Sequence, residues 1–253
     1  MVIIRSPEEI KYIRDSCKIA ANALKRVQEN VKEGITTLEL DEIAEDFIIK
    51  QGAKPAFKGY GPKENKFRYS ICASINEEVV HGIPSKRRLK EGDIISIDLG
   101  TNRRGYFGDT AATVPVGKID PKIQKLLTVT KESLFKGIEK AKPGNRLGDI
   151  SYAIQESVEK NYFSVVREYV GHGIGSNLHE DPQIPNYGVP HTGIILREGM
   201  VLAIEPMVNI GGYKTEVCNN GWTVVTKDRS WSAHFEHTIV ITKNGNEILT
   251  IPS

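Results

Sequence analysis

Four acidic residues lie in apolar segments where carboxylates are uncommon. Asp98 ends a run of isoleucine and serine, Asp109 begins an Ala-Thr-Val run, and both segments have the composition of strands. Glu205 ends a second apolar run of the same kind, and Glu236 begins the last strand-like segment of the chain. Buried carboxylates are costly unless they are paired or neutralised, so these four residues indicate a functional site.

An internal repeat relates the four acids to one another. Leu89 to Asp98 (LKEGDIISID) matches Leu196 to Glu205 (LREGMVLAIE) in residue character at nine of ten positions, and Asp98 aligns with Glu205. The tripeptide HGI also occurs once in each half. Because two similar halves usually pack about a pseudo-twofold axis, the repeat predicts that the four acids meet near one point.

The segment from Ile94 to Val114 predicts two strands joined by a tight turn at Asn-Arg-Arg-Gly. A two-residue turn midway between Asp98 and Asp109 would place the two carboxylates directly opposite each other. A left-handed bulge at Gly105 would instead shift the register by one residue. A second irregularity, expected near Gly108, would then be needed to return both aspartates to one face.

Four carboxylates in one pocket require cations, because adjacent like charges raise each other's pKa strongly. Oxygen-rich ligation with one or two imidazoles suits Mn, Fe, Co or Zn, and carboxylates can bridge two ions. His172, which lies between two glycines, is the expected imidazole ligand. His179 is interpreted as a second ligand or a polar catalytic group.

The other histidines receive different interpretations. His81 shares its HGI context with the expected ligand and is predicted to be functional. His237 follows a candidate ligand directly, which suggests that it orients that carboxylate. His191 and His234 are interpreted as surface or satisfied core residues.

Helix signals precede each half of the repeat. Ser6 and Glu9 form a predicted capping box before a long amphipathic helix, and Thr36 begins a second helix. Asp120-Pro121 repeats the cap-then-proline start for a third helix, and Leu147 to Tyr162 is predicted as a fourth. A loop is expected at 176–193, and the remaining strands are expected at 69–75, 165–170, 200–208, 222–226 and 236–242.

Composition limits the classes of partner. The chain has 253 residues and a net charge of +2, and no long basic run alternates with aromatic residues, so no specific nucleic-acid binding is expected. The densest basic segment, Lys86 to Lys90, is interpreted as a solvated turn or as a contact for RNA or an acidic protein.

The cysteines and the apolar segments indicate a cellular compartment. The three cysteines have no ligand or disulfide spacing, which favours a reducing cytoplasm. The amino terminus lacks the apolar core of a signal peptide, and no window reaches membrane-spanning length, so a cytoplasmic protein without membrane contact is expected.

These features together resemble a known family. The chain closely resembles the bacterial type I methionine aminopeptidases, which have the pita-bread fold shared with prolidase, aminopeptidase P and creatinase. The resemblance extends over nearly the whole chain and is carried by motifs in this order: SPEEI, SINEEVVHGIP, IISIDLG, YFGDTAAT, GHGIG, LHEDP, IEPM, NGWTVVTKDRS and EHTIVIT.

The resemblance implies an α+β fold. Two pseudo-symmetric halves, at about residues 1–118 and 119–253, would form a single catalytic domain. Its central curved antiparallel sheet would be flanked by two helix pairs. The family precedent also implies a monomer that acts on nascent polypeptide N-termini, with a transient ribosome contact.

The resemblance also implies roles for individual residues. Asp98 would bind one of two divalent ions, His172 and Glu205 the other, and Asp109 and Glu236 would bridge both. A metal-bridging hydroxide would attack the scissile carbonyl and release methionine when the next residue is small. The implied ions are two of Co, Mn, Fe or Zn.

Catalytic and substrate-binding roles follow from the same resemblance. His179 would stabilise the developing oxyanion, His81 would contact the scissile amide or the next residue, and Glu205 would move the proton from water. Tyr60, Cys72, Leu178, Trp222 and His81 would contact the substrate. Leu178 stands where many relatives have an aromatic residue, and Phe67 or Tyr69 could replace a second tyrosine of the pocket.

Two alternatives stay open at the level of the sequence. An X-Pro aminopeptidase or dipeptidase would use a related ligand set, although such relatives usually have an additional amino-terminal domain. A non-catalytic binding module of the same fold would typically have lost metal ligands, whereas this chain retains five candidates.

Overall fold

The structure, a computed structural model, describes residues 2–253. Four helices are formed within these residues: α1 Pro7–Gln28, α2 Thr37–Lys50, α3 Pro121–Lys140 and α4 Leu147–Glu159. The predicted starts of the first three are confirmed, with capping boxes at Ser6 and Thr36 and a side-chain cap at Asp120. The fourth helix ends three residues before the predicted Tyr162.

Fifteen strands are formed within residues 2–253. In the first half these are β1 Lys54–Pro55, β2 Cys72–Ile75, β3 Glu78–Val80, β4 Ile94–Arg103 and β5 Tyr106–Pro115. The second half begins with β6 Ser164–Val165, β7 Gly171–Gly173, β8 Glu180–Ile184, β9 Val201–Ile204 and β10 Met207–Asn209. The last five are β11 Thr215–Val217, β12 Val224–Thr226, β13 Ser232–His234, β14 Glu236–Thr242 and β15 Gly245–Ile248.

One large antiparallel sheet joins the two halves. Its strands follow the order β1-β4-β5-β14-β9-β7-β8, with β2 paired to β4 and β15 paired to β14. The central contact between the halves is the pairing of β5 with β14. Candidate ligands from both parts of the repeat therefore lie on neighbouring strands.

Each helix pair covers one half of this sheet. Apolar residues of α1 and α2 pack with β2 and β4 in one core, which includes Leu24, Leu40 and Ile97. Residues of α3 and α4 pack with β9 and β14 in a second core, which includes Leu126, Ile154 and Leu202. The observed architecture is the predicted α+β fold of two pseudo-symmetric halves, with a central sheet and two helix pairs.

Two predicted strands and one predicted loop need correction. The strand expected at 165–170 is limited to β6, which ends at Val165. The loop expected at 176–193 contains β8, which pairs with β7. The strand expected at 200–208 is divided by Glu205 and Pro206, since proline provides no N–H for a continuous ladder. None of the helices within residues 2–253 is long and apolar enough to cross a membrane.

Candidate metal centre

The β4–β5 hairpin places two candidate ligands on one face of the sheet. Its turn residues, Arg104-Gly105, have φ values of 56° and 83°, as a type I′ turn requires. In this register Asp98 of β4 lies opposite Ala111 of β5. Asp109 precedes Ala111 by two residues on β5, so its side chain lies on the same face as that of Asp98. Glu236, at the start of β14, is also opposite Ala111, so it joins the same face from the second half.

The predicted irregularity near Gly108 is wrong. Strands β4 and β5 pair without interruption, because the turn lies one residue later than the midpoint between the two aspartates. Gly108 serves another purpose, since a Cβ there would lie 2.5 Å from the backbone nitrogen of Cys17 in α1. The glycine allows the helix to pack closely on the hairpin.

The last two candidate ligands reach this face through β7 and β9. Ala203 of β9 lies opposite both His172 of β7 and Thr238 of β14. Glu236 and Thr238 are two residues apart on β14 and therefore share one face of the sheet. Glu205 is likewise two residues after Ala203. Strand alternation therefore collects four of the five candidates on one side of the sheet, and Glu205 reaches the same side directly after the end of β9.

The side chains of these residues converge in one cavity of about 340 Å³. Asp109, His172 and Glu236 each offer a donor atom within 4.8 Å of the others. The Nε2 atom of His172 lies 3.4 Å from a carboxylate oxygen of Glu205. Because the Nδ1 atom of His172 donates to the carbonyl of Gly173 at 2.9 Å, its Nε2 lone pair is available to a metal ion.

The electrostatics of the cavity are unfavourable without a cation. Burial raises the pKa of Asp109 to about 7. Burial, and then the charge of Asp109, raise the pKa of Asp98 well above its ordinary value. The pKa values of Glu205 and Glu236 are also raised well above the ordinary value, first by burial and then by the neighbouring aspartates.

The donor set fits divalent metal ions. Among the described residues, Asp98 Oδ1 and Glu236 Oε1 are buried carboxylate oxygens without a hydrogen-bond donor. Such oxygens are rarely left unpaired in a folded protein, and a cation would satisfy them. Four carboxylates and one neutral imidazole match the preference of Mn, Fe, Co and Zn for oxygen and nitrogen ligands.

The metal-free protein is expected to lose stability as the pH rises through neutrality from about 6.5, the ordinary pKa of histidine. A carboxyl with a raised pKa keeps its proton in the folded chain when the unfolded chain has lost it, so stability falls as the pH rises through the folded value, about 7 for Asp109. The buried histidines His172 and His234, whose folded pKa values are about 3, act below this window.

Urea unfolding of chelator-treated protein should show a loss of about 1 kcal/mol per pH unit for each proton involved. Added Mn²⁺ should flatten this dependence, because bound carboxylates are ionised in the folded state. A metal-free stability that rises across the same window would contradict the clustered carboxyls.

Two further histidines lie beside the donor set. The ring of His179 lies 4.4 Å from that of His172 between centroids, and its Nδ1 is 2.6 Å from the Tyr60 hydroxyl. His81 has a φ of 58°, uncommon for a histidine, and its ring lies 6.2 Å from that of Trp222. Burial, and then His179, lower the pKa of His81 to about 4, so its imidazole is neutral at physiological pH.

The predicted substrate-contacting residues line the same cavity: Tyr60, Cys72, His81, Leu178 and Trp222. Cys72 lies opposite Asp98 in the β2–β4 pairing and so shares its face. Phe67, which is buried and packs edge-to-face on Trp222 at 5.2 Å, lines the cavity, whereas Tyr69 packs against Phe67. Of these two residues Phe67 is thus the one that lines the cavity, and the individual roles stay predictions.

Sequence reasoning misjudged two histidines. The interpretation of His234 as a surface or satisfied core residue is wrong, because its fully buried Nε2 has no hydrogen-bond partner among residues 2–253 and lies 3.6 Å from Glu205. Its spacing of two residues from Glu236 was the available signal. His237 does not orient Glu236: it lies on the other face of β14, where its Nδ1 contacts the Thr250 hydroxyl at 2.9 Å. His191 lies at the surface, as predicted.

The fold and the donor set define a class of metallopeptidase. The chain belongs to metallopeptidase family M24, whose sequence model matches residues 11–243. It is 57% identical to methionine aminopeptidase 1 of Bacillus subtilis, with 99% of each chain covered. It is 56% identical to a methionine aminopeptidase of Clostridium acetobutylicum, again over 99% of each chain.

Solved structures give the same result. A methionine aminopeptidase from Thermotoga maritima matches with a TM-score of 0.96 and 50% identity, covering 99% of this chain and 100% of that chain. A prolidase from Pyrococcus horikoshii matches with a TM-score of 0.80 and 29% identity, covering all of this chain but 65% of that chain. The pita-bread fold predicted from the sequence is thus confirmed.

Proposed function

We propose that this protein is a metallopeptidase that removes the N-terminal methionine from polypeptides whose next residue is small. The observation that carries the proposal is one cavity in which five metal-donor side chains adjoin a largely apolar pocket. Full-length similarity to methionine aminopeptidases supports the same activity.

The proposed centre holds two divalent ions of Co, Mn, Fe or Zn. Asp98 would hold one ion and His172 with Glu205 the other, while Asp109 and Glu236 would contact both. Bound ions of this kind make water acidic enough to act as a nucleophile near neutral pH and polarise the substrate carbonyl. The raised carboxyl pKa values and the unpaired Asp98 and Glu236 oxygens support this assignment.

The remaining cavity residues would act on the substrate. His179 would donate a hydrogen bond to the carbonyl oxygen as negative charge develops on it, with Tyr60 fixing the imidazole through their 2.6 Å contact. Glu205 would accept the proton released by water and pass it to the leaving amine. His81, between the rings of Tyr169 and Trp222, would contact the scissile amide or the next residue.

The pocket explains the proposed selectivity for an N-terminal methionine. Its wall is formed by aromatic, thiol and aliphatic side chains, namely those of Tyr60, Phe67, Cys72, Leu178 and Trp222. An unbranched thioether side chain suits such an irregular apolar surface. The free substrate amine would approach the ion held by Asp98, and an internal peptide bond has no such group.

The cellular setting is part of the proposal. The protein would act as a monomeric single catalytic domain, residues 1–253, on nascent chains in the cytoplasm. It would bind neither membranes nor a specific nucleic acid. The exposed basic segment Lys86 to Lys90 is the candidate for a transient ribosome contact, although Arg88 also donates to the carbonyl of Gly34 at 2.6 Å and so helps hold its own loop.

A peptide series tests this function against the two alternatives. With Mn²⁺ or Co²⁺ present, peptides beginning Met-Ala should release methionine at least about 100-fold faster than peptides beginning Met-Leu, because the second side chain must fit a closed site. Peptides beginning Ala-Pro should not be cleaved. Faster cleavage of Ala-Pro would support an X-Pro peptidase, and no cleavage with any metal would support a binding module.

A further inference from the structure

The segment before α1 reaches the loop that carries His179. Arg5 is only 6% exposed, although it precedes the first helix and carries a charge. Its backbone N–H donates to the carbonyl of Gly199 at 2.9 Å, which fixes the segment against the turn before β9. The arginine side chain is thereby directed into the protein.

The buried guanidinium of Arg5 is paired with Glu180. Arg5 Nη2 donates to Glu180 Oε2, and the two side chains are only 4% and 7% exposed. Arg5 Nη1 also donates to Glu9 at 3.1 Å, which connects the pair to the first turn of α1. Because removal of one partner leaves the other charge buried and unpaired, this contact is sensitive to substitution.

The carboxylate of Glu180 in turn stabilises the loop from Gly175 to Glu180 by hydrogen bonds within that loop. Its Oε1 accepts hydrogen bonds from the backbone N–H of Asn177 at 2.8 Å and the Ser176 hydroxyl at 3.2 Å. The guanidinium of Arg5 lies against the backbone of Gly175, where a Cβ would approach Nη2 to 2.2 Å. The carbonyl of Gly175 accepts from the backbone N–H of Phe107, which anchors the loop to β5.

We propose that Arg5 is a positioning residue for His179, acting through Glu180. His179 directly precedes Glu180, and its exposed side chain depends on the loop backbone for its place beside His172. The pair between Arg5 and Glu180 fixes that backbone at the residue directly after His179. The catalytic consequence rests on the proposed function, but the structural link does not.

The first test measures the loop directly. In hydrogen–deuterium exchange of the metal-loaded protein, Arg5→Ala should increase the exchange rate of amides in residues 176–180 by about tenfold or more, because their local opening becomes easier. Arg14→Ala is the matched control, since Arg14 also forms an arginine–glutamate ion pair, but with Glu247 of β15 rather than with Glu180. Equal exchange in the two variants would overturn the proposal.

The second test is a double-mutant cycle on Met-Ala peptide. Arg5→Ala should lower kcat by about 10- to 100-fold with bound metal unchanged, as expected when a catalytic group is displaced by about 1 Å. In the His179→Ala background the same substitution should change kcat by less than about twofold. Equal losses in both backgrounds would show a general structural effect and contradict the positioning role.

Two more conservative substitutions test the proposal if Arg5→Ala does not fold. Glu180→Gln keeps an acceptor for Asn177 but removes the charge, so an intermediate loss of kcat is expected, and Arg5→Lys should restore part of the activity lost in Arg5→Ala. Full activity of Glu180→Gln would count against the proposal. If the native protein failed to release methionine, the proposed function would be wrong, and the exchange measurement would still decide whether Arg5 holds the loop.

Discussion

Replacing Asp109 by alanine is expected to abolish both metal binding and methionine release. The donor atom of Asp109 lies within 4.8 Å of donors from His172 and Glu236, and its charge also acts on Asp98, so its loss should disturb both proposed ion positions. Turnover should fall by about 10³-fold or more, because the ions contribute several kcal/mol of transition-state stabilisation. Metal content after dialysis and kcat on Met-Ala peptide provide the measurements.

Two variants separate metal loss from loss of stability. Asp109→Asn removes the charge at constant shape, and the metal-free variant should be at least as stable as the metal-free native chain, because a buried carboxyl with a raised pKa is removed. Asp120→Ala removes the N-cap of α3 and should cost about 1 kcal/mol without loss of metal or turnover. An Asp109→Ala protein that retained two tightly bound ions would contradict the bridging role.

Replacing His179 by alanine is expected to lower turnover by about 10²- to 10³-fold while the metal content stays constant. This range is typical for removal of one hydrogen-bond donor that stabilises an oxyanion. The structure supports a role beside the proposed metal ligands, because the ring of His179 packs edge-on against His172 and its Nδ1 contacts the Tyr60 hydroxyl. Parallel measurement of kcat and bound metal tests the prediction.

The exposed His191 provides the matched control, since its ring contacts only the nearby Asp149 among the ion pairs of the described residues. His191→Ala should leave both kcat and metal content unchanged. Loss of metal from His179→Ala would make this histidine a ligand, and unchanged turnover would remove it from the catalytic group.

The composition of the site could be predicted from the sequence because candidate metal donors can be recognised by their residue types. Buried acids are rare, and the repeat that aligned Asp98 with Glu205 already linked the two halves. The structure places Asp98, Asp109, Glu205 and Glu236 with His172 around one cavity. Helix starts were equally predictable, since Ser6 carries its capping signal within three residues.

Register was harder to predict because it depends on the conformation of one turn. The symmetric placement of Asp98 and Asp109 about the turn suggested a direct pair, but positive φ angles at Arg104 and Gly105 shift the pairing and make a bulge unnecessary. A shift of this size changes the partner of every residue in the hairpin while both aspartates keep one face.

Side-chain environments that depend on strands distant in the sequence were the hardest to predict. His234 and His237 are three residues apart, yet one faces Glu205 and the other lies on the opposite face beside Thr250. Two different pairings determine these environments, that of β13 with β10 for His234 and that of β14 with β9 for His237. The same dependence on tertiary structure explains why Phe67 could not be chosen over Tyr69 in advance.

The most direct test is a crystal structure of the Mn²⁺-loaded protein with anomalous diffraction from the metal. We predict two anomalous peaks in the cavity, each about 2.0–2.3 Å from its ligands. One peak should contact Asp98, the other His172 and Glu205, and both should contact Asp109 and Glu236. An active crystal form without anomalous density between these five side chains would contradict the metal centre on which the proposed function depends.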